Sequence, residues 1–407
     1  LLFFLYNDIM WKIVGDNLKK NKKEFGLLNL IIVIVVTSII SSITTGLIIF
    51  NNKNTEKNIV NDEALQEFVE AYESVLDNYY EDVDKTKMID NAIKGMLNYL
   101  GDDYTTYLNS SDTSNLTEKL AGKYQGIGVE LIEGNKISKI FDDSPAKEAG
   151  LEVGDIIIKI NDKDVKTFTA SEIASEIKNI KEKNFSITVN RNEQEITANL
   201  TLKELYIPAI ESRIIENNNK KIGYIYISTF SNTVYDQFKA KLKEFEDNNI
   251  DSLIIDVRNN TGGYLKAATD IASMFLEKGK IIYSLESKNK KETYKDETNE
   301  ARNYKVSVLI NESSASASEI LAAALKDSYN ATLVGKKSYG KGKVQQTASL
   351  KGGSMYKYTS AKWLTPNGEC IDKKGLTPDY EVDLQMSEDG NSIIDTQLNK
   401  AVELLGE

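Results

Sequence analysis

Residues 27–50 run for 24 positions without a charged side chain, and such a stretch leaves a chain few places to go. The hydrocarbon core of a bilayer is spanned by roughly 20 apolar residues in helical form, so the run is long enough to cross once. Lys19, Lys20, Lys22 and Lys23 stand just before it. Cationic residues beside a span stay on the cytoplasmic side. The run is longer than the apolar centre of a secretory signal and lacks an Ala-x-Ala cleavage site, so an uncleaved anchor is expected. Residues 1–26 then form a cytoplasmic basic segment, 27–50 the membrane span, and everything from residue 51 onward an extracytoplasmic part on a single-pass cell-membrane protein. The first residue is Leu1 rather than methionine, so residues 1–9 are read as a matter of start-site assignment.

Composition narrows the function classes. The formal net charge is −11, which argues against nucleic acid as the main partner. One cysteine, Cys370, excludes an intramolecular disulfide framework and any cysteine-based metal cluster, and it is read as a packing residue. The chain contains no histidine, so neither a Ser-His-Asp triad nor a zinc site built on imidazole is available to it. No metal or other cofactor is expected.

The remainder divides by pattern. Residues 51–58 are an Asn/Lys-rich tether. From 61 to 120, apolar residues at helical spacing (Leu65, Phe68, Val69, Tyr72, Val75, Leu76, Tyr79) predict a first helix, and 88–100 a second. Next come Tyr124-Gln-Gly-Ile-Gly-Val129 and then Ser144-Pro-Ala…Ala149-Gly-Leu…Gly154-Asp-Ile-Ile. Gly126 and Gly128 would free backbone N–H groups to hold a carboxylate, beside a strand edge open to an added peptide. A helix at 170–180 places Ala170, Ile173, Ala174, Ile177 and Ile180 on one face, read as core and groove wall. Residues 185–191 alternate as a closing strand. From 206 to 382 apolar strands (222–227, 253–257, 306–310, 332–335, 355–361) alternate with helices, which is α/β.

The chemistry-bearing segments lie in that last region. Ser316 precedes Glu319 and the apolar stretch Ile320–Leu325, the pattern of a capping box opening a buried helix. A serine there also sits beside free N–H groups able to stabilise an oxyanion. Lys341 follows in Tyr339-Gly-Lys-Gly-Lys343. Lysine replaces histidine as a base on unrelated folds, provided burial lowers its pKa from about 10.4. Gly340 and Gly342 let the backbone carry that side chain inward. Run as extended chain, 341–346 would put Lys341, Lys343 and Gln345 on one face, so the residues alone leave Lys343 as a rival to Lys341. A third segment, Asp256-Val-Arg-Asn-Asn-Thr-Gly-Gly263, reads as a buried strand breaking into a turn, with Asp256 and Arg258 a structural pair.

These segments resemble the C-terminal processing peptidases, or tail-specific proteases, whose nucleophile lies in S-A-S-A-S-E and whose base lies in [FY]-G-K-G. The resemblance runs over about 61–405. Within it, 121–205 is similar to a PDZ domain of the permuted bacterial-protease kind. It implies an α/β catalytic core (206–382) of crotonase-like strand-and-helix repeats with an inserted PDZ domain, an N-terminal helical region (51–120), one transmembrane helix, and a C-terminal helical segment at 383–407. It further implies Ser316 as nucleophile, Lys341 as base and Gln345 as the group orienting it. The oxyanion hole would be Gly262 or Gly263 with Ala317, and the tail-binding residues Tyr124, Gly126, Ile127, Gly128 and Val129. Gly101-Asp-Asp-Tyr-Thr-Thr-Tyr-Leu108 is similar to the family's connector ahead of the PDZ domain. The close of the catalytic region, Thr365-Pro-Asn-Gly368 and Gly375-Leu-Thr-Pro-Asp379, also follows the family, but Cys370-Ile-Asp372 departs from its usual Ser-Ile-Gln. The expected partners are polypeptide substrates with free C-terminal tails, with a homodimer through the N-terminal helices as a further implication. The alternative is a catalytically silent PDZ scaffold that binds protein C-termini. A third reading, another acyl-transfer enzyme with a Ser/Lys pair, is disfavoured because Ser316–Glu319 lacks the Ser-x-x-Lys spacing of penicillin-binding enzymes.

Overall fold

A computed structural model describes residues 62–387, 389 and 391–406. The expected span at 27–50, its cytoplasmic flank and the tether lie outside these residues. Among the described residues no helix is long and apolar enough to cross a membrane.

Helix α1 (Glu63–Asn78) starts at Asp62, whose carboxylate accepts the N–H groups of Ala64 and Leu65. It follows the predicted period but buries none of its residues, leaving Leu65, Phe68, Val69 and Val75 exposed. Helix α2 (Lys85–Tyr99) begins three residues earlier than its apolar pattern suggested.

After α2 the chain forms a short strand, β1 (Thr106–Leu108), and helix α3 (Ser110–Ala121), which ends on Gly122 in the left-handed region. Strand β2 (Lys123–Gly126) pairs with β9 (Lys203–Tyr206) in a two-stranded ribbon bracketing a small domain. That domain is a sheet in the order β3 (Val129–Ile132), β4 (Lys136–Ile140), β5 (Ile156–Ile160), β7 (Asn184–Arg191), β8 (Gln194–Thr201), with β6 (Lys163–Asp164) on β5. It carries a four-residue helix α4 (Pro145–Glu148) and the capped helix α5 (Ala170–Lys178). The predicted face of α5 splits as expected. Ile173 and Ile177 enter the domain core, Ile180 packs on it, and Ala170 and Ala174 line a groove.

The larger domain is built on a six-stranded sheet, β10 (Ile210–Asn217), β11 (Lys220–Ile227), β12 (Ser252–Asp256), β15 (Lys305–Ile310), β16 (Thr332–Gly335) and β19 (Tyr380–Glu381). From β11 to β19 the pairing is parallel, and parallel strands need crossovers. Three of these are helices α6 (Val234–Asp247), α7 (Leu265–Ser273) and α8 (Ala317–Ala324). They cover one face with Phe238, Leu242, Ile271 and Leu321, all fully buried. The other face carries α9 (Thr396–Gly406) through Ala401 and Leu405. The predicted helical segment at 383–407 is therefore helical only from 396.

A second sheet was not foreseen. Its long strand β18 (Met355–Leu364) pairs with β17 (Lys343–Ser349), with β13 (Ile281–Glu286) and with β1, and β14 (Lys291–Lys295) closes its far edge. Strand β1, ahead of the small domain, thereby becomes part of the large one.

Candidate active site

Strands β12 and β15 end side by side, and the two turns that follow them meet. The first, Arg258–Gly263, is organised by Asn260, which is fully buried. Its amide donates to the Ile227 carbonyl at 2.9 Å, and its side-chain oxygen accepts the Gly262 N–H at 2.9 Å. Its backbone carbonyl takes the Ala315 N–H at 3.0 Å and the Ser318 hydroxyl at 2.7 Å. Ser314 likewise donates to the Val257 carbonyl at 2.8 Å. Two serines of the run are thus committed to holding the turn against its neighbour.

Ser316 is placed differently. From Ser314 to Ile320 it alone is not buried. Its φ of 57° and ψ of −113° fall where a residue with a Cβ rarely rests, and such strain persists only where the surroundings enforce it. Enforcement comes partly from Glu319, whose carboxylate accepts the Ser316 N–H at 2.8 Å. Ala317 opens α8 directly after the serine. A Cβ at Gly262 would lie 3.0 Å from Ser316 Cβ and 3.1 Å from the Ala317 nitrogen, and one at Gly263 would lie 2.2 Å from the Phe230 carbonyl oxygen. Both glycines are therefore required by close approach, at φ of 104° and 147°. Of the two, Gly262 has its N–H taken by Asn260.

Lys341 sits on a loop fixed at both ends of its own residue. Its N–H donates to Glu319 at 2.9 Å, and its carbonyl accepts the indole N–H of Trp363 at 2.9 Å. Glu319 also takes the Gly340 N–H at 2.7 Å and the Ser338 hydroxyl at 2.5 Å. Four donors on a carboxylate with no solvent exposure fill its acceptor sites, which identifies it as the anion. Burial pushes the Glu319 pKa up, against the pull of these four bonds. The flanking glycines have a specific cause: a Cβ at Gly340 would be 2.7 Å from the Gly375 nitrogen, and one at Gly342 2.6 Å from that of Asp372. Asp372, at the point of departure from the family pattern, accepts the Gly342 N–H at 3.2 Å.

The two lysines of the loop have opposite environments. Burial, reinforced by the like charge of Lys357, lowers the pKa of Lys341. Lys343 Nζ lies 2.8 Å from Asp102 Oδ1, and that hydrogen bond raises its pKa. Asp102 itself is held well below the usual carboxylate range, because bonds from Lys343, Thr359 and Thr105 outweigh the upward push of burial. Asp102 and its neighbour Tyr104, whose ring centroid is 5.0 Å from Lys341 Nζ, were not among the expected site residues. The acidic pair in the 101–108 connector was the available signal.

Strand β17 begins at Lys343, so Lys341 lies just ahead of it, and its register against β18 shifts between Val344 and Gln345, with Ser360 of β18 as the extra residue. The Gln345 amide donates to the Lys343 carbonyl at 3.3 Å. Arg258 pairs with Asp256 at 2.6 Å and with Asp395 at 2.8 Å, tying the turn to the start of α9.

In the small domain, Tyr124 and Gly126 lie on β2 and Val129 on β3, with Ile127 and Gly128 between them. Ala146 donates its N–H to the Ile127 carbonyl at 2.9 Å, and Gly128 adopts φ of 81° with Ser144 behind it. These five residues line a groove of about 810 Å³, with α5 as the opposite wall and α3 as a third. Lys178 of α5 joins the two helices, bonding Glu118 at 2.6 Å and Ser114 at 2.9 Å.

The profile of peptidase family S41 matches residues 221–382, that of the PDZ domain 116–190, and that of the activating protease CtpB N-terminal domain 43–113. A probable CtpA-like serine protease of Staphylococcus aureus (strain COL) is 32% identical over 373 residues, covering 90% of this chain and 74% of the relative. Its counterpart in Staphylococcus haemolyticus (strain JCSC1435) is 31% identical over 367 residues, covering 88% and 72%. Among solved structures, a photosystem II D1 C-terminal processing protease superimposes with a TM-score of 0.48 at 23% identity, over 86% of this chain and 92% of its own. With identity of this extent over nine-tenths of its length, the chain belongs to peptidase family S41, as a serine peptidase of the C-terminal processing kind with a PDZ domain.

Proposed function

We propose that this protein is a membrane-anchored endopeptidase that works outside the cytoplasm, engages protein C-terminal tails in its PDZ groove, and cleaves with a Ser316/Lys341 dyad. The observation that carries the dyad is the shared partner of its two members: one Glu319 oxygen accepts the N–H groups of both Ser316 and Lys341. In this reading Ser316 Oγ attacks the scissile carbonyl carbon while neutral Lys341 takes the hydroxyl proton. Collapse of the tetrahedral adduct expels the amine, which leaves with that proton, and water then releases the acyl group by the same route. Gly263 and Ala317 are the proposed oxyanion donors, since the Gly262 N–H is already engaged. Gln345 acts on the lysine loop through the Lys343 carbonyl.

The groove supports tail recognition by its form. A glycine-bordered loop and the edge of β3 face an apolar helix flank, the arrangement that adds an extended peptide as a strand. The uncharged run at 27–50 and the lysines ahead of it support the anchor and its orientation. The exposed apolar flank of α1 supports pairing with a second copy of the chain. Labelling by a fluorophosphonate probe tests the core of the reading. Wild type should be labelled and Ser316→Ala should not. Labelling of both would displace the nucleophile, and absence of labelling and peptidase activity with tail binding retained would establish the scaffold alternative.

A further inference from the structure

The connector that precedes the PDZ domain reaches the lysine loop, which the dyad alone does not explain. Strand β1 pairs with β18 through Thr106↔Lys357, Tyr107↔Tyr356 and Leu108↔Met355. This pairing sets Asp102 against Lys343 at 2.8 Å, with side-chain exposures of 13% and 21%. The carboxylate is fixed from two further sides. Thr105 donates to it at 2.7 Å, and the Thr359 hydroxyl donates from β18. The Tyr104 ring lies near both ammonium groups, with its centroid 5.0 Å from Lys341 Nζ and 5.5 Å from Lys343 Nζ.

Resting on the dyad reading above, we infer that Asp102 is a positioning residue for Lys341. It binds Lys343 and neutralises the second charge beside the base, so that of the two adjacent lysines only Lys341 is left to exchange a proton with Ser316. An unpaired Lys343 would be a like charge in a partly buried site, where charges are weakly screened. The groups facing Lys341 are then Lys357 from β18, Glu319 from α8, and the Asp102–Lys343 pair with Tyr104. Asp103 and Asp372 lie further out, beside Lys343. Asp102 acts on Lys341 by raising its pKa, and the cation it is paired with, Lys343, carries the opposite charge.

The opposed charges of the pair make the test, read in the acid limb of kcat/KM, which reports the free enzyme's base. Activity needs neutral lysine, so a lower lysine pKa moves the limb to lower pH. Asp102→Asn removes an anion and leaves Lys343 unpaired, and should shift the limb down by roughly half a unit or more. Lys343→Met leaves Asp102 unpaired and should shift it up by a similar amount. The double variant should return close to wild type. A purely structural role for the connector would lower kcat without moving the limb, and would worsen in the double variant. Either result overturns the inference, as would single shifts of the same sign. Should Asp102→Asn fail to fold, the upward shift of Lys343→Met decides the matter, and a limb unmoved in that variant overturns the inference. Lys341→Ala separates the two readings. If it retains wild-type activity, the dyad is wrong. If it is inactive and the limb ignores Asp102 and Lys343, this inference alone falls.

Discussion

Glu319 Oε2 accepts the backbone N–H of Lys341 at 2.9 Å, across 22 positions of sequence. The same carboxylate holds Ser316, Ser338 and Gly340, so one buried anion fixes both segments that carry the proposed dyad. Glutamine in its place would keep the size but turn two acceptor positions into an NH₂ group facing N–H donors. Leaving buried donors unpaired around a lost charge costs about 2–4 kcal/mol. Glu319→Gln should therefore unfold several degrees below wild type in a thermal melt and lose about 10²-fold or more in kcat, the scale of displacing a base and oxyanion donors from working geometry. A variant with unchanged kcat would remove Glu319 from the explanation of the site.

Lys341 and Lys343 should separate cleanly under substitution. Lys341→Met should lose about 10²–10⁴-fold in kcat, the range for a general base, while Lys343→Met should stay within about 10-fold of wild type. The depressed pKa of Lys341 also carries a stability sign. A lysine harder to protonate in the folded state than in the unfolded one penalises folding at low pH, and the penalty fades as pH rises through the folded pKa towards the unfolded value. Lys341→Met removes a poorly solvated cation, so it should melt higher than wild type at neutral pH, and the difference should shrink as pH rises towards 10. The activity of wild type should rise with pH along a limb below the ordinary lysine range. Equal melting curves at neutral pH would mean the ammonium is well solvated.

Legibility in the sequence followed the range of each interaction. Strand β16 at 332–335 falls where it was expected, and the start of the helix at Ala317 could be read because serine, glutamate and an apolar helix stand within a few residues. What distinguishes the two lysines could not be read locally, because the discriminating carboxylate is 241 positions away. That β17 begins only at Lys343, with Lys341 ahead of it, follows from its pairing with β18, a property of the second sheet rather than of the segment. The group that takes the Gly262 N–H is Asn260, two positions before it. An asparagine beside paired glycines looks like ordinary turn chemistry until its buried partners are known.

Gly128 offers a test of the groove apart from the protease. It occupies φ of 81°, and a Cβ there would lie 2.3 Å from Ser144 Cβ. Gly128→Val should thus distort the carboxylate-facing loop and weaken binding of a free-acid tail peptide by about 10-fold or more, with fluorophosphonate labelling of Ser316 retained. Amidating the peptide removes the charge the loop is proposed to hold. Cleavage of a tail-bearing substrate should slow with amidation in the wild type and be indifferent to it in Gly128→Val. Equal cleavage of free-acid and amidated substrates by the wild type would rule out recognition of the terminal carboxylate.

Topology governs which substrates the site can meet. The 24 uncharged positions at 27–50 suffice for one crossing, and Lys19, Lys20, Lys22 and Lys23 are more cheaply kept on the cytoplasmic side than carried across. The PDZ groove and the Ser316 turn both follow this run in the chain, so under the proposed single crossing they would share one side, outside the cytoplasm. Their substrates would then be secreted, envelope or membrane proteins with accessible tails. A protease added to intact cells stripped of their outer wall should digest the domains beyond residue 60 and leave an epitope placed before Lys19 intact. Catalytic domains that stay protected until lysis would reverse the orientation. The tails available to the PDZ groove would then be cytoplasmic ones, and the substrate class would change with them.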